Sequence, residues 1–422
     1  MKKSAEMPQN SLKKPASEIL FCLVAAMLFA AAGCSQSVPL AGSGDPWATS
    51  LHDSARTNSA SSELNLPLKV SWSRDIGVFN LIKVFPEKEP SSPAIYGTRL
   101  FVSSTGGTVY SFDLLSGRLL WKSSLGAPAE SSPAAGAAAV CSGSSDGLFR
   151  CFDAATGREL WRHQAKSEIT SSPVIADNTV FFYSSDDRVT ALELKTGDKL
   201  WSYGRPAFHS MSPRTESSPA LWGQRLYQVF SDGTLVSLDV SSGRELWSKK
   251  ASAESAGSGK TRTTPLVLDS KVYVIDKSGA VAAFDAETGF EAGLYNFIKA
   301  DDFVISGGKN LIIAGREQAA AIDMNTGSIL WSRELKRGRT SSVFAAGGAF
   351  FILTNFTYKP LGINLFTSER GYIEAVSASD GKTLWGMMLP STVSANGSTA
   401  YGMAAIMTDG GRLIVLTAEG RL

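Results

Sequence analysis

The chain has 422 residues, with 41 Lys and Arg against 39 Asp and Glu, for a formal charge of +2. Four Lys and two Glu precede Cys34, which leaves 37 charges of each sign beyond it. So even a balance argues against nucleic acid as the partner, because that surface demands clustered positive charge.

The first 33 residues read as a targeting segment. Lys13 and Lys14 precede an apolar run over 19–32. That is the length of a signal-peptide core and short for a bilayer span. The run ends Ala31-Ala32-Gly33-Cys34 and resembles a bacterial lipobox, with Ala31 standing where Leu is usual. The resemblance implies that Cys34 is diacylated (palmitate-type chains) and becomes the new N-terminus, an anchor for a soluble body. The other reading is an ordinary cleaved signal or an uncleaved anchor. Ser35 follows the Cys with no Asp to imply inner-membrane retention, so the periplasmic face of the outer membrane is the expected location. Residues 34–46 are small and polar, as a tether would be. Trp47, His52, Asp53, Arg56 and Asn58 follow, and this stretch is expected to lie ordered, with Asp53 and Arg56 capping or pairing. A metal site on His52 and Asp53 is the weaker reading, since no second His is near.

From residue 111 an eleven-residue phrase recurs. It reads SFDLLSGRLLW (111–121), CFDAATGRELW (151–161), ALELKTGDKLW (191–201), SLDVSSGRELW (237–247), AIDMNTGSILW (321–331) and AVSASDGKTLW (375–385). A worn copy, AFDAETGFEAG (283–293), has Gly293 in place of the Trp. The phrase glycines are Gly117, Gly157, Gly197, Gly243, Gly289, Gly327 and Gly381, with an eighth candidate at Gly420. A period near forty residues marks a propeller or solenoid. Each repeat holds four short segments rich in β-branched and aromatic residues, bounded by Gly and Ser. In the first they are 91–95, 99–103, 109–112 and 119–122. Pro133, Pro173, Pro219 and Pro265 open successive repeats, as strand-initial prolines can.

The last copy stops at Leu422 before its Trp strand, and the missing strand stands at 68–74 with Trp72. The expected fold is all-β. It is an eight-bladed β-propeller over 47–422, of four-stranded antiparallel blades, closed by the N-terminal strand joining the last blade.

The phrase resembles the tryptophan-docking repeat of pyrroloquinoline-quinone (PQQ)-type propellers. The resemblance implies that Trp72, Trp121, Trp161, Trp201, Trp247, Trp331 and Trp385 are staples between blades. Gly293 then predicts a weaker seam after the fifth. The family holds quinoprotein dehydrogenases, with PQQ and Ca²⁺ in the central funnel. It also holds non-enzymatic lipoproteins, notably the propeller subunit of the outer-membrane β-barrel assembly machinery. Fold alone does not choose between them. The vicinal Cys pair of the dehydrogenases and a Cys-x-x-Cys-His haem motif are both missing here, and His is present only at His52, His163 and His209.

Three local features carry the remaining expectations. Cys141 and Cys151 flank a Ser145-Asp146-Gly147 hairpin turn, whose register sets them opposite each other. They form a disulfide or fill two core positions as free thiols. Glu130, Thr170, Glu216 and Arg262 each stand three residues before an opener proline, and Arg339 is near the equivalent place. They either ring one channel mouth for a small polar ligand or pair among themselves. The insertion over 355–370 places Phe356, Tyr358, Leu361, Ile363, Leu365 and Phe366 in a loop, as a candidate partner site or as cover for its own blade. A second insertion over 205–215 adds Phe208, His209 and Met211. The function expected is a non-enzymatic scaffold for envelope protein partners, with outer-membrane protein assembly as the candidate process and no cofactor. The alternative is a PQQ- or sugar-type ligand-binding oxidoreductase.

Overall fold

The computed structural model describes residues 47–61, 63–76, 91–205, 217–251, 264–335, 339–359, 368–389, 405–407, 412–417 and 420–422. Those residues all belong to the compact unit Pro39–Leu422. Residues 1–46, with the signal segment, Cys34 and the tether, lie outside the described residues, as do Glu216, Arg262, Leu361, Ile363, Leu365 and Phe366. The insertion residues Phe208, His209 and Met211 lie outside them too.

The described residues are all-β. Six four-stranded sheets span 94–124, 134–164, 174–204, 220–250, 266–295 and 302–334. A seventh, over 339–388, gains a fifth strand where Ser59–Ala60 pairs parallel with its first strand, Arg339–Ala346. Within every repeat the four strands are consecutive and antiparallel, the arrangement that short glycine turns permit. Ala405–Met407 and Arg412–Ile414 form a further two-stranded pair.

The repeated phrase sets one cross-strand row in each sheet. In the third sheet the row is Val174, Phe181, Ala191 and Trp201. In the first it is Ala94, Phe101, Ser111 and Trp121. A large residue on the second strand and a small one on the third leave room for the indole, and the Phe181 and Trp201 rings stand 5.7 Å apart. Just past this row each ladder carries a bulge, as between Ala191 and Leu192. The bulge takes one residue out of the pairing. That residue is Leu200, and this is why a leucine beside a docking Trp can be solvent-facing (53% exposed at Leu200).

The second sheet departs from the pattern. Its row is Ala134, Cys141, Cys151 and Trp161. The two cysteines are directly opposite, wholly buried, with Cα atoms 4.1 Å apart and their sulfurs in bonding contact. The register expected from the hairpin turn is the observed one.

Five docking Trp residues cross to the next sheet, while Trp385 is partly buried against the cluster that joins the seventh and first sheets. The Trp121 indole N–H donates to Ala154 O at 3.2 Å, Trp161 to Leu194 O at 2.8 Å and Trp201 to Val240 O at 2.8 Å. Trp247 and Trp331 do the same to Ala286 O and Ala378 O. The indole lies flat on the next phrase glycine. A Cβ at Gly157 would stand 2.6 Å from the Trp121 ring, and one at Gly381 would stand 2.6 Å from Trp331. Those glycines are required twice over, by the ring and by a positive φ (75° at Gly157).

Trp72 obeys the same rule although it lies far away in sequence. Its N–H donates to Leu114 O at 3.1 Å, and its ring sits 2.5 Å from a Cβ built on Gly117. The expected strand at 68–74 is not a regular one. Pairing falls slightly later, at Arg74 with Leu422 and at Ile76 with Gly420. One apolar cluster joins Phe351 and Ile373 of the seventh sheet, Ile414, Leu416 and Leu422 of the C-terminal residues, Trp72 and Ile76, and Leu100 and Phe112 of the first sheet. Six further clusters fill the seams between consecutive sheets.

Candidate functional site

The axis on which the first strands converge is the natural place for a ligand in such a fold. Two layers of polar contacts line it. The first is made by the Ser-Ser-Pro openers. The N–H of Ser92 donates to the Ser132 hydroxyl at 2.7 Å, that of Ser172 to Ser218 at 2.9 Å, and that of Ser218 to Thr264 at 3.1 Å. The Ser131 hydroxyl donates to Ser171 O at 2.8 Å. These serines are buried, and each opener binds the next sheet with the group that the sequence repeats.

The second layer is the segment 47–60. Carbonyls of Trp47, Ala48, Ser54, Ala55 and Asn58 accept from the N–H groups of Ile95, Ala135, Leu221, Val267 and Ala345. Those donors belong to the first strands of sheets one, two, four, five and seven. Thr49 donates to Pro173 O of the third at 2.7 Å, and Ser59–Ala60 lies against Asp302–Ser306 of the sixth. A stretch so short reaches all seven inner strands only by running across the axis itself.

Arg56 is the centre of this layer. It is 0% exposed. Its guanidinium donates to Pro219 O at 2.9 Å, Ser172 O at 2.8 Å, Pro173 O at 3.2 Å and Ser50 O at 2.7 Å, and to the hydroxyls of Thr49 and Ser50 at 2.9 Å. A planar fork of five N–H groups suits such a set of converging oxygens. Of the capping or pairing expected of Asp53 and Arg56, it is capping that forms at Asp53. Asp53 caps its own turn, accepting from Thr57 N at 3.0 Å and from the Thr57 hydroxyl at 2.7 Å, with His52 Nδ1 at 3.5 Å. Burial works to raise its pKa, but His52 and these bonds outweigh it and hold the carboxyl below its ordinary value.

Of the expected mouth ring, Glu130, Thr170 and Arg339 are among the described residues. Glu130 and Thr170 are half-buried just ahead of the openers of sheets two and three. Arg339 opens the first strand of the seventh sheet, opposite Asn355. A buried acid that the repeat pattern does not single out stands nearby in the fold. Asp187 accepts from the hydroxyls of Tyr183 and Ser231 and from Ser231 N at 3.1 Å, bridging sheets three and four. Burial, then the Asp187 charge, pushes the Tyr183 hydroxyl well above its usual pKa. A signal for it exists: Asp187 holds the turn position that is Gly147 and Gly233 in sister repeats, and it keeps their positive φ (56°). An Asp tolerated there has a reason to be there.

The apolar insertion is not a plain loop. Strands Ala349–Tyr358 and Ser368–Ser377 pair along their whole length, from Ala349 opposite Ser377 to Tyr358 opposite Ser368. Phe356 and Tyr358 are therefore half-buried strand residues of a long hairpin, and Arg370 stacks its guanidinium 4.7 Å from the Tyr358 ring centre. Alternation of Ile352, Thr354, Phe356 and Tyr358 explains the extension: all are strand formers on one face.

PQQ and Ca²⁺ would need free polar groups and acidic ligands on the axis. Arg56 is bonded to the chain's own oxygens, whereas the buried Ser92 hydroxyl and Asn58 Oδ1 find no partner there, and among the described residues no three of His, Cys, Asp and Glu come close enough to hold a metal. The cysteines are paired across two strands of one sheet rather than adjacent in sequence.

In comparison with known proteins, a family model described as "Outer membrane protein assembly factor BamB" matches residues 105–305 and 298–422. No curated protein matches the chain in sequence. Among solved structures, BamB from Moraxella catarrhalis is similar, at 17% identity and a TM-score of 0.59, covering 83% of this chain and 98% of that one. A quinohemoprotein alcohol dehydrogenase from Comamonas testosteroni is similar at 14% identity and a TM-score of 0.66, over 87% and 75% of the two chains. A europium-containing methanol dehydrogenase gives 12% identity and a TM-score of 0.64, over 83% and 86%. At such identities the structural likeness speaks for the fold alone. The family match extends over most of the chain, and with the docking phrase and its indole–glycine contacts it leads to one conclusion: this chain is a PQQ-like β-propeller belonging to the family of outer membrane protein assembly factor BamB.

Proposed function

We propose that the chain is a non-enzymatic, membrane-anchored scaffold that binds protein partners in the cell envelope, in the service of outer-membrane protein assembly. The observation that carries this reading is the axis. Its inner strands are bonded across by residues 47–60, with Arg56 at the centre, so the place where a propeller of this type would do chemistry is built as packing. The family match points the same way.

The full architecture of this reading is eight blades. The eighth unites Ala405–Met407, Arg412–Ile414 and residues 420–422 with 72–76, and Trp72 on Gly117 joins it to the first. Cys34 carries the lipid, and no helix among the described residues is long and apolar enough to cross a membrane. Cross-linking in intact membranes, followed by purification in detergent, tests the scaffold. A defined envelope partner is expected, and a Cys34→Ser variant is expected in the soluble fraction. Recovery of the chain uncrosslinked at every tested concentration would remove the scaffold reading.

A PQQ-dependent oxidoreductase is the second reading, favoured by the TM-scores of 0.64 and 0.66 to dehydrogenases. Addition of PQQ with Ca²⁺ is expected to leave the melting temperature unchanged. A rise of several degrees would revive that reading, since a ligand that binds only the folded state raises its apparent stability.

A further inference from the structure

Six tryptophans fill six equivalent seams among the described residues. Trp72, Trp121, Trp161, Trp201, Trp247 and Trp331 each lie on a phrase glycine of the following sheet, with ring atoms 2.5–2.7 Å from the position of a glycine Cβ. Each donates its N–H to the carbonyl three residues before that glycine, as Trp121 does to Ala154 O ahead of Gly157.

The seam between sheets five and six has the same backbone and no indole. Gly293 occupies the Trp position, opposite Ala283 in the ladder, where sister sheets pair Ala191 with Trp201. The platform glycine is present as Gly327, with the same left-handed φ of 70°. A Cβ built on Gly327 meets no heavy atom within 4 Å. The acceptor is present as Met324 O, in the position of Ala154 O and Val240 O. Tyr295 stands beside Gly293, its ring 3.8 Å from the glycine's Cβ position, and packs into the cluster of this seam without covering Gly327.

The rim of this socket is apolar. At the occupied seam of sheets three and four, the corresponding positions are Tyr203 and Glu245, which hydrogen-bond across the gap. Here they are Tyr295 and Ile329. Ile329 is 48% exposed and Leu330 beside it 41%. A polar rim pair has been replaced by a wet aliphatic wall, next to an unfilled indole platform.

We propose that this seam is a docking socket for an indole side chain carried by an extended segment of a partner protein. The occupant is defined by the six filled copies: a flat ring to lie on Gly327 and one N–H to donate to Met324 O. Tryptophan meets both demands, being a large apolar ring with a single donor. A single buried Trp anchor in a preformed pocket is also the kind of contact that dominates protein interfaces. The socket rests on the scaffold reading and gives it a location.

The test uses the purified full chain in mild detergent and N-acetyl-5-fluorotryptophanamide, observed by fluorine NMR. The wild-type chain should broaden the fluorine line, and unlabelled N-acetyltryptophanamide should restore it while the alanine analogue does not. Gly293→Trp should fill the socket in cis, raise the melting temperature and abolish the broadening. Ile329→Lys, a change at an exposed side chain, should weaken binding about tenfold or more, and it carries the test if Gly293→Trp does not fold. No broadening with wild type, or equal broadening with wild type and both variants, would overturn the proposal. Failure is separable from failure of the scaffold: envelope cross-links retained by both variants would leave the scaffold standing without this socket.

Discussion

The axis and the outer rim hold the same sheets together by opposite means. At the rim a single device, an indole laid on the next sheet's glycine, is repeated from seam to seam. At the axis one irregular segment, 47–60, reaches the inner strands, at five of them through a carbonyl that accepts the strand's N–H. A repeated device can lapse locally, and at Gly293 it does, while the strands of sheet five remain in register. The axial segment has no second copy. Stability should therefore be far more sensitive to its central residue than to any one rim position.

Arg56→Ala should have the largest effect. It leaves several buried carbonyl oxygens with no donor, each worth about 1–3 kcal/mol when unsatisfied, and chemical unfolding should report a loss on the order of 4 kcal/mol or more. A loss no greater than that of a rim Trp would break the contrast. Trp247→Ala comes next, at about 3 kcal/mol for a mostly buried aromatic, read from the same denaturation curves. Replacing both Cys141 and Cys151 by Ser should follow at roughly 2 kcal/mol, if closing a short loop acts as the chain-entropy account describes. Alkylation before and after reduction, read by intact mass, should find both thiols blocked until the chain is unfolded and reduced.

A paired substitution sharpens the rim itself. Gly381→Ala puts a methyl into the Trp331 ring, whereas Gly327→Ala meets open space. Both bear the cost of a left-handed backbone, about 1 kcal/mol, so Gly381→Ala should melt lower than Gly327→Ala by the clash alone. Equal melting temperatures would mean that the seam after sheet five is filled. The smallest effect belongs to Asp53. Its folded pKa lies below its ordinary value, so its contribution is present above the unfolded pKa and fades as pH falls through the folded one. The melting difference between wild type and Asp53→Asn should be visible at neutral pH and shrink towards pH about 3.

Much of this architecture is legible in the amino-acid sequence. The phrase predicts the sheets, the row of Trp residues and the odd seam at Gly293, because turn glycines and alternating strands are local properties. The Cys141–Cys151 register follows from one hairpin turn. The features that the sequence hides share a cause as well. The insertion reads as a loop by its excess length, yet Phe356 and Tyr358 continue a strand whose partner lies beyond the turn. Asp187 is marked by standing where sister repeats have a turn glycine, but its partner Ser231 belongs to another sheet and is not marked. Arg56 has Asp53 as its natural partner by proximity along the chain, but its acceptors are carbonyls of Ser172, Pro173 and Pro219.

By itself, then, the sequence determined the repeat, the strand order within each repeat and the side chain offered to each seam. These depend on interactions spanning a turn or one hairpin. Only the tertiary structure decided what crosses the axis, which seam stays open and how residue 72 meets residue 114. Asn58 bonds to Val343 O, 285 residues away, and no local pattern encodes such a pair. It exists because packed sheets bring their inner edges to one line, and buried backbone groups on that line must find partners wherever the chain supplies them.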